Sequence, residues 1–246
     1  MTGRRTIFER MKLDEQSTAT MPSRRGCSEL KREAVSVDSS RRHSKVELTL
    51  VPVGDESDIL PEYRGTAVGD LLAYHNIGIP HRRYSEPELL IGMCMDHRVQ
   101  LRIPSDFAFV LRSAGANLGM LEFDVSFAIA VGGARSVCLI GHDGCRMIDV
   151  ASSREAFVSG LVENVGWDRH RAEEHFDTNC SRYGIGDLAS FVWLEAQRLR
   201  IAYEDVCVAP LVYSLDDRSL CQISDSRPSI ATAHAAVDAE GGEERR

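Results

Sequence analysis

Residues 89–98 read LLIGMCMDHR, and residues 136–145 read SVCLIGHDGC. Each stretch begins as an apolar run of strand length and ends in polar side chains. Apolar strands separated by helices are typical of a largely parallel sheet that is covered on both faces. In such sheets, ligands bind beyond the carboxyl ends of the strands, which meet at one edge. The two stretches therefore predict an α/β fold that brings both polar endings together.

The alternation continues along the chain. We predict strands over 89–95, 107–111, 136–141 and 205–209, and helices over 118–131, 153–165, 170–176 and 186–199. Segments 211–215 and 219–223 predict a hairpin. The predicted fold class is α/β, with a mostly parallel central sheet flanked by helices and an edge hairpin near the C-terminus.

Composition divides the chain into one domain and two tails. Residues 1–46 hold 11 Lys and Arg against 6 Asp and Glu, a net of +5, which leaves −13 for the other 200 residues of a chain with a formal charge of −8. That segment shows little hydrophobic periodicity, and the last stretch is rich in Ala, Glu and Gly. We therefore predict a disordered basic tail over 1–46, a single domain over 47–225 and a second disordered tail over 226–246.

Several classes of protein are disfavoured by the same numbers. A folded part with a net negative charge argues against a nucleic-acid partner. No apolar run approaches the roughly 18–20 residues that span a membrane, and no stretch at the N-terminus has signal-peptide character, so we expect a cytoplasmic protein without a membrane partner. Seven unevenly spaced cysteines favour reduced thiols, some of them serving a metal, over a disulfide scaffold.

The polar strand endings carry a set of metal ligands. Cys94 ends the first quoted strand, and His142 and Cys145 follow the second. Two thiolates and one imidazole suit zinc, and a catalytic zinc site uses three protein ligands and keeps a fourth position open. Any one of these cysteines alone is more often a small core residue. A C-x-D-x-R at one strand end together with an H-x-x-C at another is far more specific, and it predicts one zinc ion per chain.

Alternate residues of an extended segment point the same way, so Asp96 and Arg98 are predicted to face the same region as Cys94. Arg98 can hold the Asp96 carboxylate in a bidentate fork. Asp96 then either accepts a hydrogen bond from a water on the metal or itself becomes the fourth ligand. His97 is predicted to be a solvated neighbour or a structural hydrogen bonder, with a proton shuttle as the alternative.

These motifs resemble those of the β-class carbonic anhydrases. The matching pieces are CMDHR (94–98), RSAGAN (112–117), GHDGC (141–145) and VCVAPLVYSLDDRSL (206–220), and the resemblance covers about 87–223. It implies that Cys94, His142 and Cys145 bind zinc and that Asp96 and Arg98 form a catalytic dyad. It also implies that Arg112, Ala114 and Gly115 line the substrate cleft.

The implied activity is that of a zinc lyase, carbonic anhydrase or carbonate dehydratase, which hydrates CO2 reversibly to bicarbonate by zinc-bound hydroxide. The family implies a homodimer or a higher homo-oligomer. Two alternatives stay open: a CS2 or COS hydrolase on the same scaffold, and a zinc-binding module without catalysis. The family usually has Gly after the last zinc cysteine, whereas this chain has Arg146.

Overall fold

The computed structural model describes residues 35–37 and 46–225, with side chains from residue 46 onward. In these residues, seven strands form a single β-sheet. The strands are β1 (Val35–Val37), β2 (Val46–Pro52), β3 (Leu89–Cys94), β4 (Ala108–Ser113), β5 (Ser136–His142), β6 (Cys207–Tyr213) and β7 (Leu220–Asp225). Their spatial order is β1-β2-β7-β6-β5-β3-β4. Strands β4, β3, β5 and β6 run parallel, and β7, β2 and β1 extend the sheet with antiparallel pairings.

In the described part of the chain, five α-helices flank the sheet: α1 (Ala67–Leu72), α2 (Glu122–Ala130), α3 (Arg154–Gly160), α4 (Arg169–Tyr183) and α5 (Leu188–Ala202). The two longest begin at aspartate caps. The side chain of Asp168 accepts a hydrogen bond from the Arg171 backbone N–H, and that of Asp187 accepts one from the Ser190 N–H. These bonds satisfy N–H groups that the first helical turn leaves without partners, so each cap fixes where its helix starts.

Short tight turns complete the connections. They are the 3-10 turns Glu56–Asp58, Pro61–Tyr63, Ala114–Ala116, Leu118–Leu121 and Arg146–Ser153, and the π turns Ala73–Ile77 and Leu161–Val165, which extend α1 and α3. None of the helices in the described part of the chain has both the length and the hydrophobicity that crossing a bilayer requires.

The parallel strands β3, β5 and β6 are buried on both faces, as their continuous apolar runs predict, whereas β4 at the edge of the sheet is partly exposed. Side chains on one face, such as Ile91 and Ile140, pack against α1 through Leu71. Side chains on the other face pack against α2 and α5; they include Leu90, Leu139 and Val212. Because both faces are covered by apolar contacts, the polar ends of the strands are held in fixed positions at the sheet edge.

Two glycines allow the chain to pack closely beside the polar strand ends. A Cβ atom on Gly92 of β3 would lie 2.4 Å from Cδ1 of Leu118, and one on Gly141 of β5 would lie 2.6 Å from Cδ1 of Leu188. No side chain larger than hydrogen fits at either position without displacing its neighbour. The two strands that carry the candidate ligands are therefore pressed directly against the turn before α2 and the start of α5.

The predicted fold class is confirmed by these strand directions and helix layers. The predicted segments 205–209 and 211–215 form the single strand β6, and β6 and β7 form the predicted antiparallel hairpin. This hairpin does not lie at the edge of the sheet, where it was predicted, because β2 pairs with the other side of β7. The predicted helix 118–131 starts as the turn Leu118–Leu121 before becoming α2. Sequence reasoning missed β1, β2 and α1. β1 lies inside the segment 1–46 that was predicted as a tail. The rest of that segment up to residue 45 lies outside the described residues, as does the predicted tail 226–246.

Candidate metal centre

The three predicted ligands converge at the carboxyl ends of two adjacent parallel strands. Strand β3 ends at Cys94 and β5 ends at His142, and the two strands pair directly. Gly144 has φ +61°, a left-handed conformation that glycine adopts readily, and it turns the chain so that Cys145 comes back to the site. The ligand atoms of Cys94, His142 and Cys145 all lie within 4.8 Å of one another, and all three residues are buried.

The hydrogen bonding of His142 leaves one ring nitrogen available. Its Nδ1 lies 2.7 Å from the backbone carbonyl oxygen of Asp143. A carbonyl oxygen can only accept, so Nδ1 carries the proton and donates it, and in the neutral ring Nε2 keeps its lone pair. Nε2 is buried and has no hydrogen-bond partner among the described residues. A buried polar atom of this kind requires an explanation, and a metal-binding role supplies one.

The sulfur atoms are spaced for a shared ion. The Sγ atoms of Cys94 and Cys145 lie 3.9 Å apart. Two sulfurs that each lie about 2.3 Å from a tetrahedral zinc are separated by about 3.8 Å. Together with the free Nε2 of His142, this donor set fits a metal that prefers thiolate and imidazole ligands.

The pair of thiols is also prepared for deprotonation. The thiol of Cys145 hydrogen-bonds to the sulfur of Cys94, and this contact, aided by His142, lowers the pKa of Cys94 to about 4. Cys145 retains the shared proton, and the same contact with Cys94 raises its pKa. A thiolate is the form that binds metal, so Cys94 is ready as a ligand and metal binding releases the proton of Cys145.

Asp96 and Arg98 form the bidentate pair that the sequence predicts. Nε of Arg98 donates to Oδ1 of Asp96 at 3.0 Å, and Nη2 donates to Oδ2 at 2.6 Å. The backbone N–H of Arg98 adds a third bond to Oδ1 at 2.9 Å. These hydrogen bonds from Arg98 hold the pKa of Asp96 well below its ordinary value, so the carboxylate stays ionised. Its Oδ2 lies 3.9 Å from Nε2 of His142, beside the candidate ligands.

Two arginines brace the segments around the ligands. Nη2 of Arg98 also donates to the carbonyl of Gly144 at 3.1 Å, which ties the ends of β3 and β5 to each other. The Arg112 guanidinium donates to the backbone carbonyls of Cys94, Asp96 and Val99, at 3.2, 3.3 and 3.0 Å. These contacts hold the segment after β3 in place. No sequence signal indicates them, because they join residues to backbone atoms 13 to 46 positions away.

The other two predicted cleft residues lie in the turn after β4. Gly115, at φ +65°, has its Cβ position only 2.7 Å from Cγ2 of Ile185 and 3.1 Å from Cβ of Met147. Ile185 packs with both candidate cysteines in one small apolar cluster, and Met147 lies against that cluster. The structure therefore places Gly115, and Ala114 next to it, close to the apolar wall beside the thiols. Arg146 is exposed, and it forms no ion pair with Asp143 or Asp149 among the residues described.

A separate open groove of about 800 Å³ lies at the opposite edge of the sheet. Its lining includes Tyr63, Trp193, Arg200 and Val208, and it contains none of the predicted site residues. The Arg200 guanidinium there donates to the Val208 carbonyl at 2.7 and 3.1 Å. The candidate site is therefore defined by its ligand chemistry and not by this groove.

No protein-family model and no curated protein sequence matches the chain. Solved structures similar to it include β-carbonic anhydrases, as the motifs led us to expect. One is β-carbonic anhydrase isoform I from the protozoan Trichomonas vaginalis, at 15% identity and a TM-score of 0.47, over 58% of this chain and 86% of that chain. Another is carbonic anhydrase from Glaciozyma antarctica, at 19% identity and a TM-score of 0.45, over 56% of this chain and 84% of that chain.

A carbon disulfide hydrolase in its apo form is also similar, at 17% identity and a TM-score of 0.43, over 61% of this chain and 83% of that chain. Proteins with different substrates in their names therefore share a likeness to this chain.

Proposed function

We propose that this protein is a zinc-dependent carbonic anhydrase, a lyase that hydrates CO2 reversibly to bicarbonate. The observation that carries this proposal is the buried, unpartnered Nε2 of His142, which converges with the thiols of Cys94 and Cys145. An ionised, arginine-held carboxylate, that of Asp96, lies beside the same nitrogen. A purely structural zinc has no use for such a dyad, because a fixed fourth ligand would close the site.

Cys94, His142 and Cys145 would hold one zinc ion per chain. When bound there, zinc acts as a Lewis acid and lowers the pKa of water, so that hydroxide is available near neutral pH. The carbonyl of Asp143 keeps His142 in the tautomer that leaves Nε2 free. This bond orients the ring and fixes its chemistry before any ligand arrives.

Asp96 would act as a permanent hydrogen-bond acceptor for the reacting water. An ionised carboxylate has no proton to donate, so it selects the orientation in which the water's lone pair points away from Asp96 and toward the substrate. Arg98 keeps Asp96 ionised and rotationally fixed through two parallel bonds. The dyad thus orders the nucleophile and does not exchange protons with it.

The apolar side of the site would receive CO2. Ile185, Met147 and Phe191 pack around Cys94 and Cys145 and offer no hydrogen bond that would compete for the uncharged substrate. Ala114 and Gly115 lie next to this wall, and Arg112 fixes the segment that carries Asp96. Their role in substrate binding, and a homodimer or higher homo-oligomer as the working form, are parts of this proposal.

The test is stopped-flow CO2 hydration by purified protein whose zinc content has been measured, at a pH well above neutral. We expect turnover at about one zinc per chain, loss of zinc and turnover in Cys94→Ser, and no loss of either in Cys180→Ser, a free cysteine of α4 outside the site. One zinc per chain with no CO2 turnover would overturn the proposal. Assays with CS2 and COS on the same sample would then distinguish a hydrolase from a module without catalysis.

A further inference from the structure

Hydration of CO2 to bicarbonate releases one proton in each turnover, and this proton has to leave a site whose ligands are buried. His97 stands next to Asp96 in the chain, and its side chain is 89% exposed, whereas that of Asp96 is 17% exposed. An imidazole takes up and releases protons near neutral pH, which is the property that such a step requires. His97 contributes to neither the ligand set nor the dyad.

The Asp96 carboxylate lies between two imidazole rings. Its Oδ2 is 3.9 Å from Nε2 of His142, on the side of the ligands, and its Oδ1 is 3.8 Å from Nδ1 of His97, on the side of solvent. A distance of 3.8 Å exceeds a direct hydrogen bond, so a water molecule or a small ring rotation completes the contact. The carboxylate therefore marks a short path from the ligand atoms to the protein surface, along which water beside Asp96, and not Asp96 itself, passes the proton to His97.

We propose that His97 is the proton-transfer residue of this site, an inference that rests on the proposed function. The neutral imidazole of His97 forms an N–H bond with a proton from water, and the O–H bond of that water breaks. The hydroxide that remains is consumed by CO2 to give bicarbonate. The imidazolium then returns its proton to a buffer base, so His97 ends each turnover neutral. In the dehydration direction the same steps run in reverse.

Neighbouring charges favour this assignment. The Asp96 carboxylate does not itself take up the proton, because hydrogen bonds from Arg98 hold its pKa low and keep it ionised. The Arg98 guanidinium cannot release a proton in proteins. Asp143, the other carboxylate close to the ligands, already accepts a hydrogen bond from the Leu215 backbone N–H at 2.8 Å. Among the described residues near Asp96, His97 is the exposed group that can carry a proton.

The first test compares zinc-loaded wild type, His97→Ala and the matched control His170→Ala, an exposed histidine of α4. At low concentrations of a weak buffer, we expect His97→Ala to lower kcat by about tenfold or more, since positioned proton-transfer groups contribute about 10²–10⁴-fold. We expect kcat/KM to stay the same and added imidazole to restore kcat. His170→Ala should match the wild type throughout.

A kcat in His97→Ala that equals the wild-type value at every buffer concentration would overturn the inference and leave the proposed function standing. A loss that imidazole does not restore, or one shared by kcat/KM, would also overturn it and would indicate a structural role. A wild type with one zinc per chain and no turnover would overturn both proposals. The outcomes thus separate the failure of one from the failure of the other.

The second test does not depend on turnover. In ¹⁵N spectra of the zinc-loaded protein, Asp96→Asn should move the signals of the His97 ring nitrogens, because it changes the group that lies 3.8 Å from Nδ1 of His97. The same change should leave His170 unaffected. Identical His97 ring signals in the two proteins would show that Asp96 and His97 are not in contact and would overturn the path.

Discussion

Two buried histidines, His75 and His142, sit in contrasting surroundings. His75 lies in the turn that extends α1 and uses both ring nitrogens: Nδ1 accepts from the Arg102 backbone N–H, and Nε2 donates to the Arg218 carbonyl, each at 2.9 Å. His142 is fully buried at the end of β5 and uses only Nδ1. A ring with both nitrogens bonded joins backbone segments, whereas a ring with one free nitrogen is prepared to bind something else. The hydrogen bonds thus distinguish a structural histidine from a candidate ligand where burial does not.

The largest effect is expected from removal of the His142 ring, whose Nε2 has no hydrogen-bond partner among the described residues. His142→Ala deletes the imidazole ligand, and two cysteines alone do not complete the three-ligand set that a catalytic zinc requires. We expect the zinc content to fall from about one per chain to near zero and CO2 hydration to fall to the uncatalysed rate. Mass spectrometry of the metal content and stopped-flow assays measure both. Retention of zinc in this variant would contradict the contrast between the two histidines, because Nε2 of His142 would then have no role in metal binding.

The next effect concerns the carboxylate beside that free nitrogen. Asp96→Asn replaces an acceptor-only group with an amide that also donates, and we expect kcat to fall by about 10²–10³-fold, as for other positioned hydrogen-bond partners of reacting groups. The zinc content should stay at about one per chain. Asp149→Asn, in the exposed turn after Cys145, is the matched control and should keep full activity. Loss of zinc in Asp96→Asn would instead make the carboxylate a metal ligand.

A stability measurement tests the structural role of His75, whose ring nitrogens are both hydrogen-bonded. His75→Ala leaves the Arg102 N–H and the Arg218 carbonyl without their partner, and each lost, partly buried bond costs about 1–2 kcal/mol. We expect the free energy of unfolding to drop by about 2–4 kcal/mol in urea titrations. Folded His75→Ala should bind zinc like the wild type. A variant that lost zinc while keeping its stability would contradict the structural role of this histidine.

The smallest effect is the pH dependence that the His75 ring gives to the free energy of unfolding. Burial lowers the pKa of His75 below its unfolded value of about 6.5. The unfolded chain therefore binds this proton first as the pH falls, so the stabilising effect is fully present above about pH 6.5 and is lost below it. The slope cannot exceed about 1.4 kcal/mol per pH unit for one proton. Urea unfolding at pH 7.5 and 5.5 should show a larger loss for wild type than for His75→Gln, and equal losses would contradict it.

The candidate ligands at the strand ends were predictable, whereas the hydrogen bonds that separate His142 from His75 were not. Strands β3 and β5 are continuous apolar runs, and parallel pairing brings Cys94 and His142 to one edge. The tautomer of His75 depends on tertiary contacts, because its partners lie 27 and 143 positions away in the sequence. Spacing along a chain carries no information on such contacts.

The missed elements have separate causes. Strand β2 does show alternating Val46, Leu48 and Leu50, but it lies at the border of a basic, polar segment whose composition suggested a tail. Helix α1 spans only six residues before its π turn, too few for a helical period to stand out. Arg112 was expected in the substrate cleft from motif resemblance, and its contacts with three backbone carbonyls became visible only with the loop folded around it.

The contacts of Arg98 limit which substitutions evolution can accept at this position. Its guanidinium bonds the Asp96 carboxylate and the Gly144 carbonyl at the same time, in two directions set by a rigid planar group. A lysine needs a single nucleotide change from some arginine codons, yet its compact ammonium on a flexible stem cannot reproduce that two-way geometry. Among homologues, this position should therefore resist the commonest exchange between basic residues, while exposed arginines such as Arg83 vary freely.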